Sequence, residues 1–243
     1  MKITYISHSG FLVETEKENY LFDYYKGEIP EMAPEKPLFV FASHRHADHF
    51  NPEIFGLTQK YQAVTFVLSY DIKIKPYNLE KWHVDEETAG KIVTVRANEV
   101  YEIGDFRLHT LKSTDEGVAF FLKTPSATIY HAGDLHWWYW EEEDKSFNNN
   151  MTASFKREIE KLTALSKDAP IDVAFVPLDP RQEADYYLGL DYLLQKIEVN
   201  YVFPMHFWGD FSVMDRFIEE GHGSGKADRI VKIGKDGESF TIR

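Results

Sequence analysis

Three imidazoles and a carboxylate fall within six residues in Ser43-His44-Arg45-His46-Ala47-Asp48-His49, directly after the apolar run Leu38-Phe39-Val40-Phe41. Neutral imidazole and carboxylate are the side chains that hold Zn, Mn or Fe. His44 and His46 stand two apart, so their rings can converge on one ion from an extended or turning backbone. Asp48 and His49 are neighbours that cannot point the same way, which suits a second ion beside the first. Two divalent ions about 3.5–4 Å apart share a water, lower its pKa and clamp a substrate oxygen, and that is a hydrolytic arrangement. Asp48 is also a candidate proton acceptor, a role that competes with ligation. The plain alternative is a surface histidine cluster with a capping Asp, but no packing or capping rule asks for this many ligand-type side chains in one turn.

The segment resembles the first metal motif, His-x-His-x-Asp-His, of the metallo-β-lactamase superfamily of hydrolases. Two shorter matches follow in the same order: Tyr130-His131-Ala132-Gly133-Asp134 after an apolar strand, and Phe203-Pro204-Met205-His206 after another. The opening Ile6-Ser7-His8-Ser9-Gly10-Phe11-Leu12-Val13-Glu14, followed by Leu21-Phe22-Asp23, looks like the first hairpin of the small bacterial members related to ascorbate-phosphate lactonases and N-acyl-phospholipid phosphodiesterases. The resemblance runs nearly end to end. It implies Asp134 as the bridging ligand and His206 on the second metal. Taken alone, an Asp after Gly133 would be read as a turn residue, and a His among Met205, Phe207 and Trp208 as packed or hydrogen-bonded.

One element of the family pattern is missing. A third His for the first metal is expected just before the strand Gly117-Val118-Ala119-Phe120-Phe121-Leu122, where this chain reads Leu111-Lys112-Ser113-Thr114-Asp115-Glu116. Asp115 is the expected substitute, since a carboxylate suits Zn and suits Mn better. The implied cofactor is therefore one or two divalent ions, Zn foremost, with Mn or Fe as alternatives.

Other residues near these motifs carry weaker expectations. His8, at the end of an early strand, is a candidate for substrate contact or for a hydrogen bond to a ligand, and Asp23 ends a strand on the same rim. Arg181, in Leu178-Asp179-Pro180-Arg181, is a candidate for a substrate carboxylate or phosphate; an Asp–Arg turn pair is the competing reading. His131 is expected behind the ligands at best, and His136 in a pocket. Four consecutive aromatics, Trp137-Trp138-Tyr139-Trp140, cannot all face a core, so some are expected at a cleft or subunit interface. The acidic run 141–144 reads as a solvated face and Phe147-Asn148-Asn149-Asn150 as a loop. Gly221-His222-Gly223-Ser224-Gly225-Lys226 lacks the strand and spacing of a phosphate loop and reads as a connection.

Short strand patterns that could position these residues fill the first half of the chain: 3–7, 11–14, 20–23, 38–42, 64–68, 92–95, 106–111, 118–123 and 128–131. Helical spacing then appears at 155–162, 188–197 and 213–220, with strands at 173–176 and 201–203 between. Hairpins followed by alternating helices and strands suit an α/β (α+β) chain of two sheets covered by helices. The order of elements is that of the family's four-layer αββα sandwich, expected here as one domain over residues 1–243.

Composition narrows the partners. The 243 residues are 43% apolar and 15% aromatic, enough for a large core. A formal charge of −13 argues against nucleic acid and anionic membranes, which need a basic face. The absence of cysteine excludes disulfides and thiolate ligands and fits the cytoplasm. Neither an apolar leader nor an 18-residue apolar run is present, so a soluble, unprocessed chain with no membrane span is expected. The expectation is a metal-dependent hydrolase of a small-molecule ester, lactone or phosphodiester, with a homo-oligomer left open. The rival, prompted by the missing His, is a metal-binding or regulatory protein of the same fold with little turnover.

Overall fold

Strands buried on both faces are apolar at successive positions, whereas half-buried strands alternate. Leu38–Ala42 is of the first kind, with all five residues buried. In the computed structural model, which describes residues 1–242, it is an inner strand of a seven-stranded sheet. The chain divides into two compact units, Met1–Arg96 with the C-terminal segment from Asp236, and Ala97–Lys235.

The first unit holds β1 (Lys2–Ser7), β2 (Gly10–Glu14), β3 (Asn19–Phe22), β4 (Leu38–Ala42), β5 (Val64–Ser69), β6 (Ile92–Val95) and β13 (Ser239–Thr241). Their order is β13-β1-β2-β3-β4-β5-β6. Hairpin pairing is antiparallel as far as β3, and β3 to β6 run parallel. Two short helices, α1 (Pro76–Lys81) and α2 (Glu86–Ala89), lie between β5 and β6. Leu12, Leu21, Val40 and Phe66 pack in one core cluster with Ile54, Phe55 and Leu57 of the 3₁₀ segment Pro52–Gln59.

The second unit holds β7 (Val100–Ile103), β8 (Phe106–Lys112), β9 (Val118–Lys123), β10 (Thr128–His131), β11 (Ile171–Pro177) and β12 (Val199–Met205). They form a six-stranded sheet, antiparallel from β7 to β10 and parallel from β10 to β12. Its helices are α3 (Lys145–Leu165), α4 (Leu188–Lys196) and α5 (Ser212–Glu219). Phe155, Ile159 and Leu162 at helical spacing form the buried stripe of α3.

Parallel strands present their carboxyl ends at one sheet edge, where open α/β sheets place ligands. Asp23 follows β3 and the histidine motif follows β4; in the second unit Asp134 follows β10, Asp179 follows β11 and His206 follows β12. In each unit the candidate residues thus share one edge. Among the described residues, no helix is long and apolar enough to cross a membrane.

Two expectations need revision, and two strands went unread. Phe147-Asn148-Asn149-Asn150 is helical, because Asp144 caps the Phe147 amide at 2.8 Å and the buried Asn148 side chain accepts from Trp140 N and donates to Trp140 O. Edge strand β7 and the three-residue β13 lacked a readable apolar pattern. His136 is fully buried rather than in a pocket: its ring lies against Gly189, where a Cβ would come within 2.4 Å of it.

Candidate metal centre

In the first unit the donors are oriented by one buried carboxylate. Asp23 accepts hydrogen bonds from Ser43 N at 2.7 Å, Ser43 Oγ at 2.6 Å and His49 Nδ1 at 2.7 Å. The bond to His49 fixes the proton on Nδ1 and leaves Nε2 as a lone-pair donor. Because Ser43 Oγ gives its own proton to Asp23, it accepts from His44 Nδ1 at 3.0 Å, so His44 also keeps Nε2 for ligation. His46 Nδ1 lies 3.0 Å from that Nε2, near the separation of two nitrogens each about 2.0–2.1 Å from one Zn. The pair expected from spacing to converge does converge. Asp71 Oδ2 holds the loop by accepting Arg45 N–H at 2.9 Å.

Asp48 meets a different set. Its Oδ2 lies 3.3 Å from His8 Nε2 and 3.9 Å from His49 Nε2, and one ligand atom from each of these three residues falls within 4.8 Å of the others. Burial opposes ionisation of Asp48, and the hydrogen bond from His8 leads the contributions that hold the carboxyl well below the usual range. His8 thus sits among the donors. It is held in the left-handed region, φ +57°, with its amide donating to Tyr5 Oη at 2.8 Å, and Asp23 shares that region at φ +41°. Such strain in side-chain-bearing residues concentrates at functional sites.

In the second unit His206 Nδ1 donates to Asp179 Oδ2 at 2.9 Å, and His206 Nε2 lies 3.5 Å from Asp134 Oδ1. Asp179 is fully buried and takes both Nε and Nη2 of Arg181, at 3.0 and 2.5 Å. Burial pushes the Asp179 carboxyl up; His206 and Arg181 together hold it well below its ordinary value. The turn-pair geometry of Asp179 and Arg181 is present, and it has a purpose that spacing did not reveal: it sets the tautomer of His206.

Asp115 and Asp134 each offer a carboxylate oxygen within 4.8 Å of the other. Thr114 ties their loops together, accepting His136 N–H at 2.9 Å and donating to the His136 carbonyl at 2.6 Å. Trp138 Nε1 donates to the Asp134 carbonyl at 3.1 Å. His131 is fully buried, its Nδ1 accepting Gly133 N–H at 3.1 Å. His136 donates Nε2–H to Gln182 Oε1 at 2.7 Å, because Gln182 Nε2 is committed to the Trp137 and Tyr139 carbonyls. Sequence reasoning gave Ser43 and Gln182 no role, did not foresee the contacts of Thr114 with His136, and gave Asp179 only a turn role. The signal available was an Asp or hydroxyl residue at the end of an apolar strand.

The donor set is imidazole and carboxylate throughout, with rings oriented by hydrogen bonds behind them, and it fits borderline divalent ions. A family model described as the beta-lactamase superfamily domain matches residues 2–149. A UPF0173 metal-dependent hydrolase of Carboxydothermus hydrogenoformans is 22% identical over 250 residues, spanning 97% of this chain and 98% of that protein. Among solved structures, the metallo hydrolase Igni18 of Ignicoccus hospitalis aligns with a TM-score of 0.63 at 14% identity, over 100% of this chain and 99% of its own. The metallo-beta-lactamase fold protein YhfI of Bacillus subtilis aligns at 0.63 with 17% identity, over 99% of each chain. The family match covers more than half of the sequence, and the mixed α/β fold is shared with these structures: the chain belongs to the metallo-β-lactamase superfamily.

Proposed function

We propose that the chain is a metal-dependent hydrolase that opens an ester, lactone or phosphodiester bond in a small molecule. The observation that carries this reading is a repeated device, Asp23 behind His49 and Asp179 behind His206, in which a fully buried carboxylate takes Nδ1–H and leaves Nε2 for a cation.

The proposed ligands of one ion are His44, His46, Asp134 and Asp115, and those of the other are Asp48, His49, Asp134 and His206. Zn is the first candidate, and a carboxylate at Asp115 favours Mn or Fe. Such ions supply Lewis acidity and lower the pKa of a water. The chain's own part is to hold the donors deprotonated and aimed. His8 holds the Asp48 carboxylate, which is proposed as a ligand of the second ion or, in competition with that role, as the proton acceptor. Arg181, its side chain 48% exposed, is proposed to meet an anionic group of the substrate while its inner edge holds Asp179.

The family match crosses the boundary between the two compact units, which supports reading them as parts of one hydrolase domain. The acidic, cysteine-free composition supports a cytoplasmic enzyme without nucleic-acid partners. Screening Zn- and Mn-loaded protein against esters, lactones and phosphodiesters tests the proposal. Chelator-sensitive turnover in one class supports it, and silence in all three at full metal load favours the metal-binding protein without turnover.

A further inference from the structure

The loop after β12 holds two bulky residues where the backbone disfavours them: His206 at φ +63° and Trp208 at φ +53°, followed by Gly209 at φ +82°. Glycine or asparagine adopts this region at lower cost than a side chain such as indole. His206 has a compensating bond to Asp179. Trp208 is not compensated by burial, since it is 51% exposed while Trp138, on another side of the same histidine, is 7% exposed. With half of the indole exposed, burial alone does not account for tryptophan at this position.

Its surroundings suggest what does. The Trp208 ring stands nearly perpendicular to His206, 87° between planes and 5.6 Å between centroids. Arg181 lies over the indole, its guanidinium carbon 4.6 Å from the ring centroid. Arg181 is fixed by Asp179, and Asp179 also fixes His206. The half-exposed indole is therefore braced by the same carboxylate that orients a proposed metal ligand. A braced aromatic wall recognises planar rings better than saturated groups of equal size, because ring quadrupoles pair in offset or edge geometries. The adjacent guanidinium adds a preference for a ring that carries negative charge.

We infer that Trp208, backed by Arg181, is the substrate-recognition wall of this site and takes the aromatic ring of an ester or lactone whose hydrolysis yields an aromatic carboxylate. The inference rests on the proposed hydrolase function, but its test requires no turnover. Benzoate and cyclohexanecarboxylate have the same charge and similar size and differ in the π system. Their binding to the full-length Mn-loaded protein is measured by tryptophan fluorescence and calorimetry, in wild type, Trp208→Phe and Trp208→Asn.

Wild type should bind benzoate roughly 3- to 10-fold more tightly. Trp208→Phe should keep part of that preference. Trp208→Asn should lose it with a thermal midpoint unchanged or raised, because Asn tolerates the backbone conformation. Equal binding of the two acids, binding of neither, or a Trp208→Asn variant that melts lower yet keeps the preference would overturn the inference and leave Trp208 a packing residue. Failure of the hydrolase reading is separate, since it shows as absent turnover across the ester, lactone and phosphodiester screen.

Discussion

Asp179 Oδ2 and His206 Nδ1 lie 2.9 Å apart, and this contact decides which nitrogen of the imidazole is left to bind a cation. Replacing Asp179 with Asn offers an amide that can donate as well as accept, and it leaves Arg181 without its carboxylate. Asp179→Asn should weaken the affinity of one ion by about 10–100-fold, whereas His206→Ala should lower metal content by about one ion per chain. Competition with a chromogenic chelator measures both, and wild-type affinity in Asp179→Asn would show that the contact does not set the donor.

Asp23 is the matching residue in the first unit, where three donors converge on one fully buried carboxylate. Asp23→Ala strands those donors in a dry interior and puts a Cβ-bearing residue without side-chain compensation at φ +41°. The expected loss is about 3 kcal/mol. Asp23→Asn should lose less, since its Oδ1 can still accept and Asn tolerates the left-handed region. Urea denaturation of the metal-free proteins ranks them, and equal midpoints for the two variants would contradict this view of the site.

His136 gives the fold an acid-side weakness. Burial pushes its imidazole down from the ordinary 6.5 to about 4, against the opposing hydrogen bond to Gln182. Between those values the unfolded chain holds a proton that the folded chain does not, so stability is full above about 6.5 and is lost as pH falls toward about 4. That gap sets an upper bound of roughly 3 kcal/mol for this group. Urea midpoints at pH 7, 5.5 and 4.5 should fall in that order, and His136→Asn should flatten the stretch. An unchanged slope in the variant would assign the weakness to other groups.

Much of this arrangement was legible in sequence because the signals were local. β4 is apolar at every position, the motif follows within two residues, and the observed strand ends agree with the readings to within about two residues. The first turns of α3 were not legible: three consecutive Asn favour turns, and the Asp144 cap together with the contact between Asn148 and Trp140 makes that stretch helical. Nor could the partners of the histidines be read. Asp23 is 26 residues from His49 and Asp179 is 27 from His206, so the pairs are created by parallel strands ending at one edge. Positive φ at His8, His206 and Trp208 is equally silent in sequence, because none of these residue types announces it.

Asp115 stands where the family pattern has an imidazole, and its carboxylate reaches within 4.8 Å of Asp134. If it is the replacement ligand, the site is harder than a three-His site. Asp115→His should then tighten Zn binding and reduce the preference for Mn. Calorimetric titration with each ion resolves this. Unchanged affinities, with a change in stability alone, would make Asp115 a turn residue.

Hydrolysis by this chain is proposed to depend on the imidazole and carboxylate donors acting through bound divalent ions. The most direct test is to titrate chelator-stripped protein with Zn or Mn while following turnover of the ester, lactone or phosphodiester that the loaded protein cleaves best. Negligible turnover without metal is expected, with a rise that saturates at one to two ions per chain. Turnover that persists in the stripped protein, or protein that binds its full complement of metal and hydrolyses none of the three classes, would contradict that dependence.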